Sequence, residues 1–412
     1  MLNYLLLLFW PFGVLFSALK RVEHKSYRLV LSLLGFYLGY SMIIRAGSDG
    51  SRIGTRFGNN VGYSLNDFVQ ILANTYSGGE GNPDFYLTSI SFIVSRVTDS
   101  QHFYFGVLGF IYFYFFFKFY GRLTTYLKGQ GVVPNCNYLL LILIFGICLI
   151  YPFSAGINAV RFPLATFVYL YAVISFIMYE KFKYIIIAIS TFLIHWAFIP
   201  MVLVLLLFLL IRNISKLYVL NFLLVMVFST SFFLNSSVVK DTPLGGETIS
   251  GKLEIYSNER YIQDREERFA KLNWYIRLAN SLPYYFSILV LMLTQVSSFA
   301  IKLNKQTKAW FILSALFIII SFVIGGEADP INNRYTKISF MSSVIYLAFL
   351  YVGNPKSKLV KALMTVYIPI ALFQFYTVLR TDFEVFNFVT YFGNIFVCWA
   401  AEDLKPIIDI IK

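Results

Sequence analysis

Apolar runs, each near the length of a bilayer crossing, recur from one end of the chain to the other and are parted by short basic turns. A crossing needs roughly 20 apolar residues to span about 30 Å of hydrocarbon. Runs that meet or approach this are Leu2–Leu19, Arg28–Ile44, Phe103–Tyr120, Tyr138–Phe153, Val160–Tyr179, Leu217–Leu234, Leu282–Ile301, Ala309–Ile324, Tyr335–Val352, Leu363–Leu379 and Phe386–Ala401. Only 13% of the 412 residues are charged, against roughly 25% in soluble chains. That is too little to coat a globule of this size, so most of the surface must face lipid. A cytosolic enzyme, a secreted disulfide scaffold and a disordered chain are excluded. Cys136, Cys148 and Cys398 lie in apolar runs at no metal-ligand spacing.

The net charge of +13 reads as a membrane signature rather than as nucleic-acid affinity, because Lys and Arg collect in cytoplasmic loops. With 20–28, 118–128, 180–183, 212–216, 302–308, 356–361 and the tail from Glu402 placed inside, the inside holds 19 bases and 5 acids. The rest of the chain holds 15 bases and 16 acids. Nearly all the excess positive charge thus falls on one side.

That assignment constrains Tyr184–Ile211, which has His195 and Pro200 near its middle. Basic turns flank it on both sides, so it must enter the membrane and return. The sequence predicts a pair of short helices or a re-entrant hairpin turning near 195–200. Non-helical backbone at such depth is tolerated only under protein or beside a water-filled cavity. Leu2–Leu19 has no basic region ahead of it and no small-residue cleavage site behind it, and is expected to be a retained span. The expectation is an all-α, polytopic helical membrane protein. It forms one domain over 1–412 with about 13 passes, its amino end outside and its carboxyl end inside.

Two outer segments, 46–101 and 235–280, are too long to be simple connectors. The first begins polar and Gly/Asn-rich and continues as Phe85–Val97, apolar on one face and suited to the interface. The second contains a charged stretch, Asn258–Lys271, that reads as an exposed helix. Gly246-Glu-Thr-Ile-Ser-Gly251-Lys252-Leu253 mimics a phosphate loop but lacks the Ser/Thr that would hold Mg²⁺.

Candidate chemistry lies in charges at or near the spans, where ionisable groups are costly and usually face a cavity. Arg161 sits at the outer start of a span, and its guanidinium can grip a phosphate through two parallel hydrogen bonds. His195 is the only histidine in an apolar run, and near neutral pH an imidazole can take or give a proton. Arg45, Arg52 and Arg56, with Asp49 among them, suit a polyanionic head group. Arg277, Arg334 and Lys337 lie near outer span ends and read first as anchors. Arg334 closely follows Glu327 and Asp329, which can hold a metal or supply a base.

Three stretches together are similar to a known family. They are Asp49-Gly-Ser-Arg52 leading to Asn82-Pro-Asp84-Phe-Tyr86 and an interfacial helix; Gly156-Ile-Asn158-Ala-Val-Arg161-Phe-Pro-Leu-Ala165; and Ser190-Thr-Phe-Leu-Ile-His195-Trp-Ala. In order and spacing over Arg45–Ile211 the chain resembles the EpsG-like branch of bacterial O-antigen and exopolysaccharide polymerases. Phe162-Pro163 departs from the residues that branch often carries. The second half resembles it only in hydropathy and in its large outer loop.

The resemblance implies a reaction at the periplasmic face of the inner membrane. A glycan on undecaprenyl pyrophosphate moves to the non-reducing end of a lipid-linked repeat unit. A base and an arginine clamp are the chemical minimum. Arg161, helped by Arg45 or Arg52, is expected on the pyrophosphate, with Arg56, Asn158, Arg334 and Tyr86 as further substrate contacts. His195 is the expected base, with Asp49 or Glu327 in reserve. No cofactor, resident metal or nucleic acid is expected; the partners are the lipid-linked oligosaccharide, the bilayer and a chain-length regulator. A lipid-linked oligosaccharide flippase and a glycan-modifying membrane acyltransferase are the alternatives.

Overall fold

The computed structural model describes residues 2–76, 85–129, 146–147, 150–213, 273–296, 303–323, 330–396 and 405–411, with Gln263, Glu267 and Lys271. Glu327, most of the second outer segment, and the runs 138–153 and 217–234 for the most part lie outside the described residues. Among those described, all regular structure is helical, as lipid demands of a backbone that must satisfy its own polar groups. Six helices are long and apolar enough to cross a membrane; a count of 13 is not established.

The chain begins with two short helices, α1 (Leu2–Phe9) and α2 (Gly13–Ala18), rather than the expected continuous span. Eight and six residues reach about 12 and 9 Å. Pro11 lies in the break, and Trp10 is anchored by an Nε1–H bond to the Tyr391 carbonyl at 2.8 Å. Next come α3 (Lys25–Tyr40), α4 (Asp49–Asn60), α5 (Leu65–Tyr76), α6 (Phe85–Ser95) and α7 (Gln101–Gly129). Helices α3 and α7 pack antiparallel through small residues. A Cβ at Gly39 would strike the Phe105 carbonyl, and one at Gly109 would strike that of Gly35. Close backbone approach of this kind drives helix association in lipid, where no hydrophobic force acts. The pair marks the two ends of the bundle: His102 meets the Tyr40 carbonyl at one, and Lys128 meets Glu23 at the other.

A short turn, α8 (Ala155–Asn158), leads into the central helix α9 (Arg161–Tyr179), most of which is buried. The expected hairpin follows as α10 (Phe182–Ile189), α11 (Thr191–Ile194), a 3₁₀ turn at Trp196–Phe198 and α12 (Ile199–Ile211). Both its ends lie at the basic end. Glu180, just ahead of it, pairs with Lys305, and Arg212, just behind it, lies 5.4 Å from the Phe176 ring centre. The remaining crossings are α13 (Trp274–Val296), α14 (Lys305–Val323), α15 (Pro330–Gly353) and α16 (Lys358–Phe383). Hydroxyls link them inside: Ser314 with Ser342 at 2.7 Å, and Tyr346 to Thr294 at 3.1 Å.

The last apolar run is described only to Phe396. It gives α17 (Phe388–Phe392), and the closing helix α18 (Ile407–Ile411) returns to its start. There the Ile407 amide donates to the Phe386 carbonyl at 3.0 Å, and Asp409 pairs with Arg45. The carboxyl end therefore lies at the end opposite the basic turns, not with them as expected. The described charges of this tail, Lys405 and Asp409, cancel, so moving them leaves the net charge of the basic side at +14.

Candidate functional site

The site is built at the His195 end, where the hairpin breaks. His195 is extended and only 5% exposed. Each backbone group at the break finds a partner. The His195 amide reaches Thr191, and the Phe198 amide reaches the His195 carbonyl. The Ala197 amide donates to His195 Nδ1 at 3.1 Å, and the Ala197 carbonyl accepts from the Tyr335 hydroxyl at 2.6 Å. An Nδ1 that accepts leaves the proton of a neutral imidazole on Nε2. In this geometry a neutral ring carries its proton on Nε2.

Phe162 organises the neighbours. The His195 ring stands edge-on to it at 5.6 Å, and Arg334 lies 5.5 Å from its centre. Phe162 follows Arg161, the half-buried first residue of α9. One turn beyond Arg334, on the same face of α15, Lys337 lies 5.1 Å from the Tyr151 ring centre. Among the described residues, aromatic rings and no carboxylates back Arg334 and Lys337. Lys337 also lines a narrow cleft with Thr336, Gln374, Asn280 and Ile150.

The turn that carries Tyr151 and Asn158 is pinned from far along the chain. Asp382, 2% exposed, accepts the Ser154 amide at 2.8 Å and the Phe153 amide at 3.2 Å. Asn158 in turn accepts the Gly50 amide through Oδ1, fixing the first turn of α4 beside the start of α9. The Gly-rich stretch after Gly47 is helical, not a loop. Ser48 caps it by accepting the Ser51 amide at 3.1 Å, and Ile53 and Phe57, four apart, are buried.

The structure thus brings Asn158, Arg161, His195 and Arg334 to one region. Asp49 is adjacent, exposed on the first turn of α4, with Arg52 at 3.9 Å. Arg45 is turned to Asp409 at 3.2 Å, and Arg56 is exposed on α4. Tyr86 sits on α6, which packs against both α4 and α11. Burial holds its hydroxyl well above the ordinary tyrosine value, and Tyr104 adds to the shift. Glu327 lies outside the described residues. Sequence reasoning treated Lys337 as an anchor and gave Asp382 no role. The spacing of Arg334 and Lys337 was a readable signal, but nothing local ties Asp382 to Ser154.

A family model, described as the EpsG family, matches residues 53–392. The chain belongs to the EpsG family. The matched stretch runs from α4 to α17 and holds Asn158, Arg161, His195, Arg334, Lys337 and Asp382. Arg45, Asp49 and Arg52 precede it. EpsG membership points to a polymerase-like role in exopolysaccharide or O-antigen synthesis. No curated protein and no solved structure matches the chain.

Proposed function

We propose that this EpsG-family protein is a polysaccharide polymerase. It moves a glycan from undecaprenyl pyrophosphate to the non-reducing end of a lipid-linked repeat unit. The observation that carries this reading is the pair Arg334 and Lys337, set against Phe162 and Tyr151 beside His195 and without carboxylate partners among the described residues. A cationic site of this kind at membrane depth asks for an anion, and the reaction has one in its leaving group.

In the step, an acceptor hydroxyl oxygen bonds to the anomeric carbon of the donor glycan. The bond from that carbon to the pyrophosphate oxygen breaks, and the lipid pyrophosphate leaves with the electron pair. Arg161, Arg334 and Lys337 share its charge. His195 donates from Nε2 toward the leaving oxygens. The proton of the acceptor hydroxyl goes to a carboxylate. Asp49 is the candidate, because Asn158 ties its neighbour Gly50 to the start of α9. Glu327 is the alternative. The basic turns face the cytoplasm by the positive-inside rule, which puts the reaction at the periplasmic face of the inner membrane.

The test is a glycan ladder from a host lacking the gene, complemented with wild type, Arg334→Lys, Arg334→Ala or His195→Ala at equal expression. Wild type restores long chains. Arg334→Lys loses most of them, because an ammonium cannot make the forked contact. Normal ladders in all variants would remove the site. Loss of surface repeat units, with lipid-linked units retained inside, would turn the reading to a flippase.

A further inference from the structure

At the basic end several cations have carboxylate or carbonyl partners among the described residues. Lys128 meets Glu23 and Lys305 meets Glu180, while Arg28 donates to the Val22 and Glu23 carbonyls. One group, on α7, α9 and α10, is matched by rings instead. Arg122 donates to the Tyr179 hydroxyl at 2.7 Å and lies 5.5 and 5.0 Å from the Tyr171 and Tyr179 ring centres. Lys118 Nζ lies 4.7 Å from the Tyr171 centre, and Lys183 Nζ lies 5.2 Å from that of Tyr184. The rings touch one another: Tyr184 meets Tyr171 at 6.2 Å and Tyr179 at 6.1 Å. Three cations and three tyrosines thus form one cluster. The carboxylate nearest in sequence, Glu180, is occupied by Lys305. No other carboxylate reaches the cluster among the described residues.

Two features point to the occupant. Lys118 lies ten residues before Lys128, about 15 Å deeper along α7, where a cation without a carboxylate partner is costly. Beside the cluster, α10 exposes Phe182 and Ile186, apolar side chains against which acyl chains can lie. A phosphate at the cations with its chains on that face satisfies both. We propose that this cluster binds the phosphate head group of an anionic phospholipid in the leaflet at the basic end. Basic pockets between spans bind such head groups, and a guanidinium held by tyrosine hydroxyls is oriented in advance for phosphate. The site lies at the opposite end of the bundle from His195 and does not depend on the proposed reaction.

The experiment is lipid retention by the full-length protein in detergent, read by native mass spectrometry against dioleoyl-phosphatidylglycerol and dioleoyl-phosphatidylcholine. Wild type is expected to retain the anionic lipid selectively. Each basic residue removed near the surface is expected to weaken binding about fivefold. The double variant Lys118→Gln/Arg122→Gln should then bind about 30-fold more weakly, and Lys128→Gln should bind as wild type does. If the double variant fails to fold, the exposed Lys183→Gln gives the reading, with a loss of about fivefold. Equal retention of both lipids by wild type, or unchanged binding in these cluster variants, would overturn the proposal. Displacement of the lipid by millimolar inorganic phosphate would also overturn it, by assigning the cluster to a soluble anion.

Discussion

Asp382→Asn tests whether a distant carboxylate holds the site together. The Asp382 carboxylate is almost fully buried and takes one amide on each oxygen, from Ser154 at 2.8 Å and Phe153 at 3.2 Å. Asparagine has the same shape, but one of its two polar atoms is a donor. One amide keeps an acceptor and the other faces an NH₂ group. A hydrogen bond to a charged group contributes about 1.5–3 kcal/mol, and a buried amide left without a partner costs about 1–3 kcal/mol. The turn carrying Tyr151, Asn158 and the approach to Arg161 should therefore loosen by about 3 kcal/mol. That is on the order of 100-fold faster hydrogen exchange at the Phe153 and Ser154 amides, read by mass spectrometry on the full chain in detergent. Glycan chains in complemented cells should shorten. Unchanged exchange at those two amides, with a normal ladder, would refute the argument.

Three further outcomes follow from the packing. Asn158→Ala removes the acceptor of the Gly50 amide and should cost about 1–3 kcal/mol locally, seen as faster exchange in the first turn of α4 and a weaker ladder. Gly39→Ala places a Cβ against the Phe105 carbonyl, a backbone atom that cannot swing aside. It should cost about 1–3 kcal/mol and lower the thermal midpoint in detergent, and an unchanged midpoint would count against the close α3–α7 packing. The third concerns pH. Burial alone would raise the Glu23 carboxyl, but the hydrogen bond and charge of Lys128 outweigh it and hold it below 4.5. The folded value lies below the unfolded one, so this contribution is present above about pH 4.5 and is lost as pH falls through the folded value. Glu23→Gln should flatten that part of the stability profile as pH falls below about 4.5.

What the sequence made legible was what its local physics decides. Apolar length gave the crossings, and the charge of the flanking turns showed that 184–211 had to double back. Arg161 and His195 stood out because ionisable groups are rare in apolar surroundings. The same reasoning failed where a distant contact decides. Hydropathy counted Leu2–Leu19 as one span, yet it forms two short helices, and Trp10 between them is tied to Tyr391. Composition marked the stretch after Gly47 only as polar and Gly/Asn-rich, because no local signal shows that Phe57 stacks on Tyr104 at 4.4 Å. Lys337 looked like an anchor until α15 was set against Tyr151.

The return of α18 to Phe386, with Asp409 on Arg45, has a practical side for anyone handling the protein. A purification tag or reporter domain fused behind this helix would sit at the Arg45 end of the bundle rather than at the end that holds the basic turns. Under the proposed function it would compete there for room with the growing glycan. The turns near 20–25 and 354–358, at the other end of the bundle, offer attachment points that leave the Arg45 end clear.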